Sequence, residues 1–282
     1  MFQVTRGDTL VLSDDAARSE ITIVPARGAI VTRFRAGDRE LLYLDEATLR
    51  DPTKNVRGGI PILFPSPGKL EGDRFARAGH EGAMKQHGFA RDLPWQVTET
   101  ATTDAASATL VLASNDQTRA MFPWDFKLAI TFSLAATRLR MGVRIDNTGT
   151  EAMPFAFGIH PYFRVADKAS ARIATNATRA FDNVTKQTIP FHGFDLTAPE
   201  VDLHLIDHGS TSTTLTSDGA SLAISASPEH TRWVVWTVRG KDYVCVEPWT
   251  APGNALNTGE SLITLEPGAS RAMWIAMGYA RS

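Results

Sequence analysis

A single cysteine, Cys245, occurs in 282 residues. One thiol excludes an internal disulfide and a cluster of thiolates around a metal, so nothing in the chain requires an oxidising compartment. Long apolar runs are missing too. No segment approaches the ~20 consecutive apolar residues of a membrane-spanning helix. The opening MFQVTRGDTLVLSDD lacks the basic region and apolar stretch of a secretory signal. Neither sign of charge is in excess, with 29 Lys plus Arg against 31 Asp plus Glu. That balance argues against a broad nucleic-acid-binding face but leaves room for one small basic pocket. Repeats, low-complexity tracts and linker-like stretches are lacking. The expectation is one domain over residues 1–282, cytoplasmic, with no nucleic-acid or membrane partner, as a monomer or weak homodimer. All-β folds often reach this length as one unit.

What the chain does have is alternation. In KLAITFSLA, Leu128, Ile130, Phe132 and Leu134 share one face. In RLRMGVRIDN, Leu139, Met141, Val143 and Ile145 stand opposite Arg138, Arg140 and Arg144. Period two marks half-buried strands, and the short Ala-Ala-Thr link predicts an antiparallel hairpin. Further strands are expected at TLVLS, SEITIVP, GAIVTRFRAG, ELLYLD, WQVTETAT, ASATLVLAS, SLAISASP, WVVWTV, YVCVEP, SLITLEP and RAMWIAMGY. Helical signals are confined to a turn or two at DEATLRD and DQTRAMF. Many strands and few helices predict an all-β antiparallel sandwich.

Alternation fails between Asp51 and Pro94, and that much irregular backbone in a compact fold is usually functional. Within it lie RGGIPILFPSPGKL and KQHGFARDLPW; further on come FGIHPYF, EVDLHLID and VCVEPWTAPGNALN. His87, His160 and Glu247 each sit close to a proline or glycine and an aromatic ring. Such a set suits a sugar pocket, in which aromatic faces cover C–H groups while carboxylates take hydroxyls. Each residue also has a plainer reading. A histidine in an apolar segment is more often a hydrogen-bonded core residue, Glu247 can cap a strand, and Asp202 can be a turn residue with Asp207 as its rival. Arg57 and Arg91 can be surface charges. His80, His192, His204, His208 and His230 read as surface or structural. Composition and spacing alone reach a β-sandwich with a polar pocket.

The motifs RGGIPILFP, QHGFARDLPW, FGIHPYF and VEPWTAPGNALN, in this order from about Arg57 to Asn257, resemble the aldose 1-epimerase (mutarotase) superfamily. The mix is most similar to its hexose-6-phosphate epimerase-like branch. The resemblance implies a large antiparallel β-supersandwich with an open cleft. It also implies exchange of the α and β anomers of an aldose or hexose 6-phosphate, with no cofactor and no metal. It assigns His87 and His160 as the active-site histidines, Glu247 as the catalytic carboxylate and Asp202 as a holder of sugar hydroxyls. Arg57 and Arg91, with Lys69 and Lys85 nearby, stand where the sugar-phosphate branch has basic residues. Gly68 and Lys69 occupy the place where many plain mutarotases carry an Asn-Arg pair, which points away from galactose.

Anomer exchange opens the C1–O5 bond, so a base must take the C1 hydroxyl proton while an acid protonates O5. The expected roles are Glu247 as base, His160 as acid and His87 as auxiliary. Two rivals remain at this stage. Two histidines and a glutamate are also a metal-ligand set, although no compact ligand spacing accompanies them. The same sandwich would also serve a non-catalytic carbohydrate-binding module.

Overall fold

The computed structural model describes residues 1–281. Its elements are overwhelmingly antiparallel strands. The predicted hairpin pairs Phe126–Ala135 with Arg138–Asn147, in a register that sets Ile130 beside Val143 and Phe132 beside Met141. Their apolar faces are fully buried, as period two requires. The hairpin lies inside an eight-stranded sheet that also holds Ser270–Arg281, Ala220–Ala226, Ser212–Ser217 and Ala106–Ala113. A five-stranded sheet, beginning at Phe2–Arg6, packs against it. The second eight-stranded sheet carries Glu200–Leu205, Arg232–Val238 and Tyr243–Trp249 side by side. Phenylalanines knit the layers together: Phe64 lies 5.0 Å from Phe126 and 6.0 Å from Phe155, centroid to centroid.

Helices form at Glu46–Arg50 and Asp116–Arg119, where DEATLRD and DQTRAMF stand. Asp45 caps the first by accepting from the N–H groups of Ala47 and Thr48, and Asn115 closes a capping box on the second. A third short helix, Ala255–Thr258, carries no sequence signal that would announce it. ELLYLD is not the strand its alternation predicts. Beyond Arg39–Glu40 it makes only isolated bridges, Leu42 to Phe163 and Leu44 to Gly58, because it crosses between sheets rather than joining one. No helix among the described residues is long and apolar enough to cross a membrane.

The segment 51–94 contributes only short strands, and its backbone is tied down by its own loops. Phe89 and Ala90 both donate N–H to the carbonyl of Phe64. That clasp demands close approach at Gly88, which has φ +72°. A Cβ there would lie 2.2 Å from the Phe64 carbonyl oxygen. Gly88→Ala is therefore expected to cost more than the ~1 kcal/mol of a left-handed alanine, since backbone must also move. A urea melt should show the midpoint falling at unchanged slope; an unaltered midpoint would contradict the tight clasp.

Candidate active site

One cleft of about 670 Å³ gathers Glu247, His160, His87, Asp202, Arg57, Arg91 and Lys69 on its walls. Seven residues scattered from position 57 to 247 thus share one site. Lys85 does not line it, and Asp207 lies elsewhere. Asp207 instead accepts from Thr178 Oγ1 at 2.6 Å and from the N–H groups of Thr178 and Arg179 at 3.0 Å.

Glu247 stands near the end of Tyr243–Trp249, a strand buried along its whole length. His160 comes from the neighbouring chain between Gly158–Ile159 and Tyr162–Arg164, strands that both pair with Tyr243–Trp249. Its backbone N–H donates to the Pro61 carbonyl at 3.0 Å. Tyr162, two residues on and so on the same face, stacks on the imidazole at 4.7 Å and 11°. The result places His160 Nε2 3.4 Å from Glu247 Oε1. Both side chains are buried. Each residue precedes a proline, which favours the extended backbone that aims them into the cleft.

His87 enters from the loop. It has φ +73°, uncommon outside glycine, and two bonds hold it there. Its N–H donates to the Gly68 carbonyl at 2.7 Å, and the Gly68 N–H donates to His87 Nδ1 at 3.0 Å. An accepting Nδ1 places the proton of the neutral ring on Nε2. His87 is thereby a fixed donor beside His160, with ring centroids 5.5 Å apart.

Burial sets the charges. It pushes Glu247 well above the usual carboxylate range, assisted by the negative charge of Asp202 and opposed by a hydrogen bond from Trp249. Burial also drives His160 down to about 3, with the Arg91 and Arg57 cations adding to the effect. His87 falls well below its ordinary value, first by burial and then through His160 and the two arginines. Burial alone would raise Asp202, but the His204 ring at 3.2 Å and the hydrogen bond from Asn183 outweigh it and keep that carboxylate ionised. Burial thus pushes both members of the Glu247–His160 pair toward their neutral forms, which leaves one proton between them and no net charge.

His204 is a correction. Its reading as a surface residue fails, because it is buried and lines the cleft with Nε2 3.2 Å from Asp202 Oδ1 and its ring edge against Trp249. The signal was present: Asp202 and His204 alternate with Val201, Leu203 and Leu205 in a strand, so they share a face. Asn183 donates to Asp202 Oδ2 at 2.7 Å, and Lys186 donates to Asn183 Oδ1 at 2.6 Å. The other histidines keep structural or surface places: His80 on Glu151, His208 on Ser210, His230 on Ser227, and His192 exposed.

Among the described residues, one group could hold a metal ion. His160, Cys245 and Glu247 present donor atoms within 4.8 Å of one another. Cys245 and Glu247 are two apart in one strand and so share a face. A zinc ion bonds nitrogen and sulfur at ~2.0–2.3 Å, so the group would have to contract around it. Cys245 is fully buried, and burial raises its thiol well above the ordinary value, which disfavours the thiolate a metal needs. The set fits an acid–base cluster better than a metal centre.

Residues 8–278 match the sequence pattern of the family described as aldose 1-epimerase. The chain belongs to that family. A relative from Cenchrus ciliaris, provisionally named a glucose-6-phosphate 1-epimerase, is 27% identical over 276 residues, spanning 86% of this chain and 76% of its own. An Escherichia coli K12 protein of the same provisional name is 30% identical over 153 residues, 53% of this chain and 46% of its own. Among solved structures, a Synechocystis sp. PCC 6803 protein superposes with TM-score 0.95 at 39% identity, covering 100% of this chain and 99% of that one. A galactose mutarotase-like protein from Clostridium acetobutylicum gives TM-score 0.83 at 16% identity, with 100% and 99% covered, and so shares the fold. The family is one of isomerases acting on sugars, and the fold class expected from the strand pattern is the one found.

Proposed function

We propose that the chain is a mutarotase acting on a hexose 6-phosphate, with Glu247 and His160 as the acid–base pair and His87 as a fixed hydrogen-bond donor. The observation that carries this reading is the 3.4 Å separation of His160 Nε2 and Glu247 Oε1 within a cleft. The two oxygens that exchange protons in anomerisation, O1 and O5, hang on one carbon. Acid and base must therefore be near neighbours. Groups at this spacing can each reach one oxygen of the same C1.

The proton count fits as well. Ring opening moves the O1 proton to the base and a proton from the acid to O5, with net transfer to neither the enzyme nor solvent. A pair holding one proton can do this without drawing on water. In the carboxylate–imidazolium arrangement, Glu247 takes the O1 proton as His160 delivers one to O5. The open aldehyde is then left with a neutral pair, the arrangement burial favours. Rotation at C1 and reversal of both transfers closes the other anomer. His87 Nε2–H supplies a hydrogen bond to whichever oxygen carries developing charge. Asp202, ionised and held by Asn183, is suited to accept from sugar hydroxyls. Phosphate is assigned to Arg57 and Arg91, with Lys69 at the rim. The two relatives provisionally named glucose-6-phosphate 1-epimerases support this substrate.

The test is anomer exchange at equilibrium, read by NMR saturation transfer with glucose, galactose and glucose 6-phosphate. Acceleration of the phosphate sugar above the free sugars is the expected result. Equal acceleration of all three would remove the phosphate from the reading. Binding without acceleration would favour a carbohydrate-binding module.

The pH profile gives a second expectation. An ordinary histidine acid would impose a limb near pH ~6.5. Here the pair gains its second proton only as pH falls toward the His160 value of about 3. It loses its last proton only above the usual carboxylate range. Measured with free glucose, which has no group titrating in this range, kcat/KM should therefore stay level from neutral pH down to pH ~5 and fall on the alkaline side; glucose 6-phosphate would add the limb of its own phosphate near pH ~6. An acid limb centred on the ordinary imidazole value would overturn the shared-proton account.

A further inference from the structure

Trp249 touches more of the proposed machinery than any packing role requires. Its indole Nε1–H donates to Glu247 Oε2 at 3.1 Å. Since Trp has a donor and no acceptor there, the direction of this bond is certain. The ring meets His204 edge-on at 5.2 Å and His87 at 5.6 Å. Its seat is cut to shape by glycine. Gly158 pairs with Trp249 across the strands, and a Cβ at Gly158 would lie 2.7 Å from Trp249 Cδ1. On the other side, a Cβ at Gly68 would lie 3.3 Å from Trp249 Cζ3. Gly68 is also the residue that fixes His87. Glu247 Oε1 is left to His160 while Oε2 is held by the indole, so the two carboxylate oxygens have separate duties.

We infer that Trp249 is a positioning residue for the reaction: its indole N–H orients the Glu247 carboxylate and sets how readily that group gives up its proton. The bond is strongest to the charged carboxylate, so it offsets part of the burial that favours the acid form. Without it the carboxylate–imidazolium arrangement becomes rarer and the base less available. The inference rests on the reading of Glu247 as the base.

Trp249→Phe keeps a ring and removes the donor. A hydrogen bond to a charged group accounts for roughly ten- to a hundredfold, so kcat is expected to fall by about that factor. KM should change by less than about threefold, and the alkaline limit of kcat should rise by about one pH unit or more, the same effect seen as protonation. Gly158→Ala, which displaces the indole, should move the alkaline limit in the same direction. The Glu247 carboxyl can also be titrated directly by infrared difference spectroscopy, its band identified by loss in Glu247→Gln. This readout does not need activity. A carboxyl titration that rises in Trp249→Phe supports the inference even if wild-type protein exchanges no anomers, in which case the proposed function fails on its own. An unchanged titration and alkaline limit, with only the melting temperature lowered, would overturn the inference and leave Trp249 as packing.

Discussion

Glu247→Gln should lose anomer exchange by roughly 10²–10⁴-fold, the range a positioned acid–base group supplies, and at the same time become more stable than the wild type. The two effects have one origin. Burial raises the Glu247 carboxyl well above its usual range, so the folded chain retains a proton that the unfolded chain releases. Where the folded state binds more protons, stability falls as pH rises. The loss begins at the usual carboxylate value and continues up to the raised one, at about 1.4 kcal/mol per pH unit within that window. Glutamine keeps the shape, still accepts from the Trp249 indole, and has no proton to lose. Its advantage over wild type should therefore grow as pH rises through and above the usual carboxylate range. Thermal melts across that range, alongside NMR exchange rates, test both halves. Near-normal turnover would remove Glu247 from the mechanism. A stability gain that is flat with pH would mean the carboxyl titrates normally in the fold.

His160 contributes the opposite slope. Its folded value lies at about 3, below that of the free imidazole, so the unfolded chain binds the extra proton. The stability associated with neutral His160 is complete above the ordinary imidazole value and is lost as pH falls toward 3. Acid side and alkaline side are thus limited by two members of one buried pair. A buried pair of this kind costs stability in both directions, as functional groups held at a strained or desolvated site commonly do.

Much of the fold was legible because period two is a local signal. Leu128 to Leu134 and Leu139 to Ile145 alternate so strictly that one register buries both faces, and that register is the one found. ELLYLD alternates as well, yet its carbonyls and N–H groups are satisfied by isolated bridges to different partners; which neighbour a segment meets is not written in its own residues. The site divides in the same way. His87, His160 and Glu247 stood out by their glycine and proline neighbours, and the cleft brings them together. His204 carries no mark of its own although it lies two residues from Asp202, since no single-residue feature separates a cleft-facing strand from a core-facing one. Lys186, Asn183 and Trp236 also line the cleft. They come from polar or apolar stretches with no marker, and only the sheet order Arg179–Asp182, Glu200–Leu205, Arg232–Val238, Tyr243–Trp249 collects them.

Arg57→Ala and Arg91→Ala should each raise KM for glucose 6-phosphate by roughly ten- to a hundredfold, the effect of losing a charge-assisted hydrogen bond. KM for free glucose should move by less than about threefold, since that sugar offers no charge to bond. Among the described residues neither arginine forms an ion pair with a carboxylate. Arg57 lies 5.8 Å from the Trp236 ring centre. Arg91 is folded back to donate to the Gln86 carbonyl at 2.7 Å and keeps a buried Nε without a partner. Two guanidinium groups left without counterions in one cleft suit a dianionic phosphate. The same cations depress His160 and His87, which gives the prediction a second edge. A bound phosphate cancels part of that positive field, so the imidazolium form of His160 becomes easier to reach when the phosphorylated sugar is present. Turnover of glucose 6-phosphate should therefore exceed that of glucose in the wild type. Removing Arg57 should leave glucose turnover equal or higher, since a repelling charge near His160 has gone, while the phosphate sugar loses affinity. Equal loss on both sugars would identify Arg57 as structural. An unchanged KM for the phosphate sugar in both variants would send the phosphate elsewhere in the cleft, with Lys69 and Lys186 the remaining cations to test.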